Sequence, residues 1–281
     1  MMKMTKVAAL FLAGAMTVSL AACGGSKDGA AAAGQAAEAA ASAAASAGQT
    51  LEDIKKSGKI TMVTNAEFEP FEYKDHDQVV GIDADIAKEI ADKLGVKLEI
   101  TDIAFDACVP SLTTGKADFC AAGMTVTPDR QKNVDFTDPY YNASQAIIVR
   151  KDSKIKSRED LNGKVVGVQQ GTTGDIYCTN EDGKSEVKVK EVKRYPKGMD
   201  AVADMMGGRI DAVVIDNFPA DKYVSKNADK IQKLDEALTE EEYAIAVPKN
   251  SELKATINEV IKDLNDSGKM DEIVGKYITA D

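Results

Sequence analysis

Ile82-Asp83-Ala84-Asp85-Ile86-Ala87-Lys88-Glu89-Ile90-Ala91-Asp92-Lys93-Leu94-Gly95-Val96-Lys97-Leu98-Glu99-Ile100 is the stretch from which the fold class can be read. Ile82, Ile86, Ile90 and Leu94 recur every four residues, so residues 83–94 present one apolar helical face, and Gly95 stands where a helix stops. Val96 to Ile100 then reads as a strand. Upstream, Lys59 to Thr64 is strand-like; downstream, Ala107 to Thr114 reads as a short helix, and Ala117 to Ala121 and Ala146 to Val149 as strands. Strand and helix signals in alternation predict α/β layering.

The pattern recurs in the second half. Strands are expected at Val165 to Val168, Val187 to Val192 and Ile210 to Ile215, with helices over 172–180 and 198–207. A helix around Pro219 to Ser225, a strand over Ala244 to Val247 and a helix from about Glu252 to Asn265 follow. That makes two α/β lobes with one late strand and helix left over.

Composition limits the function classes. The chain has 281 residues and a net charge of −11, which argues against a protein that gains affinity by neutralising phosphates, so no nucleic-acid partner is expected. Its one histidine, His76, leaves little room for histidine triads or multi-histidine metal sites, and with no C-x-x-C motif no metal or cofactor is expected. Gly183-Lys184-Ser185 resembles the end of a phosphate-binding loop, but Cys178 stands where its first glycine would be. It reads as a surface turn.

Residues 1–22 carry Lys3 and Lys6 ahead of the apolar run Val7 to Leu20, the layout of an export signal. Leu20-Ala21-Ala22-Cys23-Gly24 is similar to the lipobox of bacterial lipoproteins, which implies that Cys23 is lipidated and becomes the mature N-terminus. Residues 23–50, rich in Ala, Gly and Ser with no large apolar side chain, then read as a flexible tether. Cys108, Cys120 and Cys178 remain. Buried free thiols are the first reading for Cys108 and Cys120, and a disulfide between them stays open.

Longer motifs carry a wider resemblance. Asn65-Ala66-Glu67-Phe68-Glu69-Pro70-Phe71, Gly81-Ile82-Asp83, Gly123-Met124-Thr125-Val126-Thr127-Pro128-Asp129-Arg130, Asp138-Pro139-Tyr140-Tyr141, Gln169-Gln170-Gly171-Thr172-Thr173-Gly174 and Ile210-Asp211-Ala212-Val213-Val214-Ile215-Asp216 occur in one order. The chain over 51–281 resembles the polar amino-acid-binding group of bacterial extracellular solute-binding proteins, family 3. The resemblance implies the periplasmic-binding-protein type II fold, two α/β lobes joined by two hinge strands. Lobe 1 would be discontinuous, 51–142 and 243–281, with lobe 2 at 147–239. The late strand and helix would thereby return to lobe 1.

A free amino acid carries a carboxylate and an ammonium on one carbon, so its site needs a fixed cation and a fixed anion close together. By the resemblance, Arg130 takes the carboxylate, for which its planar fork is suited, and Asp216 takes the ammonium. From the residues alone, Arg130 could equally be a solvated residue at a helix start, and Asp216 a helix N-cap. Gly123 permits close backbone approach, and the Thr125 hydroxyl can accept from an ammonium or donate to a carboxylate. Thr172, at the start of a helix, plays the matching part from the other lobe.

Asn65, Phe68, Phe105 and Gln169 would read the ligand side chain. Both phenylalanines match positions where the family stacks an aromatic ring, although either could be plain core. Many relatives carry Asp at position 65 and some carry Lys at 169, so Asn65 and Gln169 favour a neutral polar ligand. Glu67 and Glu69 could restore negative charge nearby, or face solvent.

The expectation is an extracytoplasmic, lipid-anchored, monomeric receptor. It would perform no chemistry and would deliver a free L-amino acid to the permease of an ABC importer. A dehydratase-like enzyme on the same fold and a ligand-sensing receptor domain are the alternatives. With the binding fold ending at Asp281, no appended domain is expected.

Overall fold

A computed structural model describes residues 48–278. The export signal expected over 1–22, the lipidation expected at Cys23 and all but the end of the tether expected over 23–50 lie outside the described residues.

The first sheet contains five strands in the order Lys97–Asp102, Lys59–Thr64, Phe119–Cys120, Ala246–Pro248, Val134–Phe136. The first three run parallel, and Ala246–Pro248 is antiparallel to both its neighbours, with Ala246 opposite Cys120 and Phe136. The helix Ile82–Leu94 forms as its four-residue repeat requires. Gly95 closes it at φ 70° and donates its backbone N–H to the last turn. Its Ile86 and Ile90 pack with Ile60 and Met62 of the strand Lys59–Thr64, while Val63 faces the other way onto Cys108 and Leu112. The sheet is therefore covered on both faces, as parallel sheets are. Each fully buried isoleucine contributes roughly 1.5–3 kcal/mol of transfer free energy.

The second sheet repeats this plan in the order Glu191–Tyr195, Val165–Gln169, Ala212–Asp216, Gln145–Arg150, Ile231–Lys233. Again three parallel strands carry an antiparallel neighbour: Gln145–Arg150 pairs with Ala212–Asp216 so that Asp216 stands opposite Gln145. Alternate residues divide between two cores, with Ile148, Val213 and Ile215 on one side and Ile147, Val149, Val166, Val168 and Val214 on the other. Two short strands, Tyr141–Ala143 and Glu241–Tyr243, form an antiparallel ribbon where the chain leaves the first sheet and where it returns. This is the type II periplasmic-binding-protein architecture.

Several elements depart from the sequence reading. The strand expected over Val187 to Val192 begins only at Glu191; Val187 and Val189 pack from an irregular segment onto the second core. Apolar content there reports burial and not strand geometry. Glu67–Phe68, Glu72–Asp75 and Gln78–Val80 form an antiparallel meander that the sequence did not announce. After the helix Leu253–Ser267, Gly268 at φ 76° turns the chain into a further helix, Lys269–Tyr277. The segment 183–185 is an exposed turn, and Cys108, Cys120 and Cys178 are buried free thiols.

Candidate functional site

A small cavity lies between the two sheets, lined by Phe68, Phe105, Gly123, Thr125, Arg130, Thr172, Thr173 and Asp216. Seven of the nine residues named from the sequence meet there. The other two, Asn65 and Gln169, are buried and bonded to each other: Gln169 Nε2 donates to Asn65 Oδ1 at 2.8 Å. Asn65 Nδ2 in turn donates to the Ile103 carbonyl at 2.8 Å. Neither lines the cavity itself.

Arg130 sits in the short helix Pro128–Gln131, whose start is fixed by Pro128 and by Thr127, the hydroxyl of which accepts from the Arg130 N–H at 3.2 Å. Its side chain is half-buried, not solvated. Nη1 donates to the Thr125 carbonyl at 2.6 Å and Nη2 crosses the cleft to the Gly171 carbonyl at 2.9 Å. The guanidinium carbon lies 5.2 Å from the centre of the Phe105 ring, so Phe105 serves as a platform for the cation. Burial lowers the Arg130 pKa, and the charges of Glu241 and Asp216 oppose that shift.

Asp216 ends a fully buried strand and occupies the N-cap position of the helix Asn217–Lys226, yet its side chain makes no capping bond. Its Oδ1 instead accepts from the Tyr243 hydroxyl at 2.5 Å. Burial first, and then the Glu241 charge, raise the Asp216 pKa to about 7, against the Tyr243 bond that lowers it. A carboxylate so placed gains from a cation set beside it.

Gly123 has a specific reason to be glycine. Its φ is 49°, and a Cβ there would stand 2.8 Å from the Phe68 ring. Asp83, in the first turn of the helix Ile82–Leu94, fixes this loop by accepting from the Gly123 N–H at 2.8 Å and from the Tyr140 hydroxyl at 2.7 Å. Burial pushes Asp83 up to about 6. Beside it Glu72 is wholly buried, both carboxyl oxygens without a hydrogen-bond partner, and burial and the Asp83 charge push it well above 4.5. Burial therefore favours the neutral form of Glu72.

Sequence reasoning named Thr172 but missed Thr173 and Glu241. Thr172 lines the cavity but spends its hydroxyl as the helix cap, accepting from Asp175 N at 3.3 Å and donating to the Gln169 carbonyl at 2.8 Å. Thr173, one residue on, lines the cavity with its hydroxyl bonded to Glu241 at 2.8 Å. Glu241 itself is buried on the return strand of the ribbon, and among its donors are the hydroxyls of Thr125, Thr173 and Thr239. Glu67 and Glu69 are partly exposed and do not enter the cavity. Glu67 pairs with Lys197, and Glu69 with Lys226 at 2.6 Å and Lys222 at 3.8 Å, all across the cleft.

A wider groove shares Thr125, Thr173 and Glu241 but is lined by Asp129, Glu181, Asp182 and Glu240 against Lys184 alone. Its charges are acidic apart from Lys184, which pairs with Asp182, whereas the smaller cavity holds Arg130 and Asp216. Among the described residues no group of three or more His, Cys, Asp or Glu is placed to hold a metal, and no helix is long and apolar enough to cross a membrane.

The chain is similar to known extracellular solute-binding proteins. Residues 60–280 match the family profile of bacterial extracellular solute-binding proteins, family 3. The chain is 34% identical over 281 residues to the arginine-binding extracellular protein ArtP of Bacillus subtilis (strain 168), covering 99% of this chain and 100% of that protein. Among solved structures it is similar to holo ArgBP from T. maritima, with a TM-score of 0.71 and 43% identity over 80% of this chain and 98% of the other. It is also similar to an ancestral arginine-binding protein bound to glutamine, with a TM-score of 0.73 and 41% identity over 79% and 99% of the two chains.

Proposed function

The chain belongs to the bacterial extracellular solute-binding proteins, family 3, and from that premise we propose that it captures a free polar L-amino acid between two closing lobes and hands it to the permease of an ABC importer. The observation that carries this reading is the pairing of charges in one small cavity: Arg130 from the side of the first sheet and Asp216 from the end of a strand in the second. In the reading, Arg130 receives the α-carboxylate and Asp216 the α-ammonium. Gly123, Thr125 and Thr172 enclose the α-carbon, Phe68 and Phe105 flank the ligand side chain, and the Asn65–Gln169 pair sits behind the cavity lining toward that side chain.

Lobe 1 comprises 51–142 and 243–281 and lobe 2 comprises 147–239, turning about the ribbon of Tyr141–Ala143 and Glu241–Tyr243. A ligand favours the closed arrangement only through contacts with both lobes at once, which a zwitterion bridging Arg130 and Asp216 supplies. The relatives' arginine-binding names and the neutral Asn65–Gln169 pair make L-arginine and L-glutamine the first ligands to compare. The protein acts as a monomer, performs no chemistry, and is held outside the cytoplasm by lipid on Cys23; the run Leu20-Ala21-Ala22-Cys23-Gly24 supports that anchor.

A thermal-shift screen of residues 24–281, with Cys23 replaced, tests this against the amino acids. A ligand at about 1,000 times its Kd stabilises by roughly 4 kcal/mol. No shift with any amino acid would remove the assignment, and a chemically altered product would move the protein to the enzyme class.

A further inference from the structure

Glu241 and Tyr243 point to the same buried side of the return strand, with exposed Glu242 between them. Tyr243 donates to Asp216. Glu241 Oε2 accepts from Thr125 Oγ1 at 2.7 Å, from Thr173 Oγ1 at 2.8 Å and from Gln145 Nε2 at 3.3 Å, while Oε1 accepts from Thr239 at 2.8 Å. Thr125 and Thr173 both line the cavity beside Asp216, one attached to each sheet.

A threonine hydroxyl has one hydrogen and two lone pairs, and a carboxylate can only accept. The single hydrogen of Thr125 is therefore turned toward Glu241, away from the cavity, and so is that of Thr173. Thr173 Oγ1 also accepts from Gln145 Nε2 at 2.9 Å, which fixes its orientation further. What both hydroxyls leave for a ligand is lone pairs. The sequence left open whether Thr125 serves an ammonium or a carboxylate; its bond to Glu241 decides for the ammonium.

We propose that Glu241 is a positioning residue for amino-acid recognition: by taking the hydroxyl hydrogens of Thr125 and Thr173 it makes the wall around Asp216 an acceptor-only surface that selects an ammonium group. The proposal rests on the amino-acid-binding reading. It places the selection on a hinge strand, so the acceptor wall is completed only when Thr125 and Thr173, from the two lobes, both reach the same carboxylate. Closure and ammonium recognition are thereby one event.

The test compares L-arginine with δ-guanidinovalerate, which has the same chain and carboxylate without the α-amino group, by calorimetry on the purified full chain. L-Glutamine with glutaramate makes the same comparison if glutamine binds more tightly. In Glu241→Gln the amide can donate, so a hydroxyl hydrogen is released toward the cavity. The preference for the amino acid over its desamino analogue is expected to fall by about tenfold, the scale of one lost hydrogen bond to a charged group, with analogue affinity held within about twofold. Thr125→Val should narrow the same ratio, and the double variant should lose no more than the larger single effect. Equal weakening of both probes by Glu241→Gln would make its role merely structural and overturn the proposal. If that variant does not fold, an unchanged ratio in Thr125→Val overturns it. A wild-type chain that binds no amino acid at all would instead remove the reading on which the proposal stands.

Discussion

Gln169 donates its side-chain amide to Asn65 at 2.8 Å, joining the end of a strand in one sheet to the end of a strand in the other. Because both partners are neutral, this end of the site sets no charge requirement on a ligand. Asn65→Asp would keep the acceptor that Gln169 uses and add a buried negative charge. The arginine-to-glutamine affinity ratio should rise by about tenfold, the strength of one charge-assisted hydrogen bond over a neutral one. Calorimetry with both amino acids reads the ratio, and an unchanged value would place the ligand's side chain elsewhere.

Asp216 links binding to pH. Burial and the Glu241 charge set it at about 7, whereas an ammonium partner requires the charged form. Binding must therefore expel a proton at pH values below about 7. Affinity should be full above that value and decline as pH falls, by up to about tenfold per unit. Titrations across about pH 5 to 9 should show the decline in the wild type and a flat, weak profile in Asp216→Asn. A wild-type profile that is flat would free Asp216 of this role.

Glu72 and Asp83 should shape stability in the opposite direction. Both carboxyl groups are raised by burial in the folded state, Asp83 to about 6 and Glu72 well above 4.5, so the folded chain binds more protons than the unfolded one. Their contribution is fully present below the unfolded pKa near 4 and is lost as pH rises through 6 and beyond. Glu72→Gln keeps the shape and needs no proton. Urea melts of that variant should show a shallower fall in stability with pH than the wild type; an unchanged or steeper fall would mean that folding does not raise Glu72.

The ion pairs across the cleft should matter little. Lys226 and Lys222 reach Glu69, and Lys197 reaches Glu67, with the lysine ends largely in solvent. Such pairs are worth about 0–1 kcal/mol each and weaken with salt. The double change Glu67→Gln with Glu69→Gln is expected to weaken ligand affinity by no more than about fivefold at low salt and less at high salt. A loss of a hundredfold would show that charge at the cleft mouth, and not the cavity, holds the lobes together.

The α/β layering was legible in the sequence because the helical stripe Ile82, Ile86, Ile90 and Leu94 is followed at once by a strand and alternates with others, and the structure buries all four residues. Arg130 and Asp216 were legible only through the family resemblance. Taken singly, one is a residue at a helix start and the other a helix cap, and their meeting depends on two chain crossings that periodicity does not encode. Thr173 was passed over for Thr172 because capping chemistry points to the residue that opens a helix, whereas both threonines line the cavity. Glu241 was hidden in the run Glu240-Glu241-Glu242, which reads as solvated acid. Its one signal was the period of two, with Glu241 and Tyr243 on one side of a short strand and Glu242 on the other.

The most direct test of the account is calorimetric titration of residues 24–281, with Cys23 replaced, against L-arginine, L-glutamine and the remaining amino acids, for the wild type and Arg130→Ala. The account predicts one amino acid bound per chain by the wild type, and loss of that binding in Arg130→Ala with the melting temperature of the unliganded protein kept. An Arg130→Ala protein that binds with unchanged affinity, or a folded wild type that binds no amino acid, would contradict it.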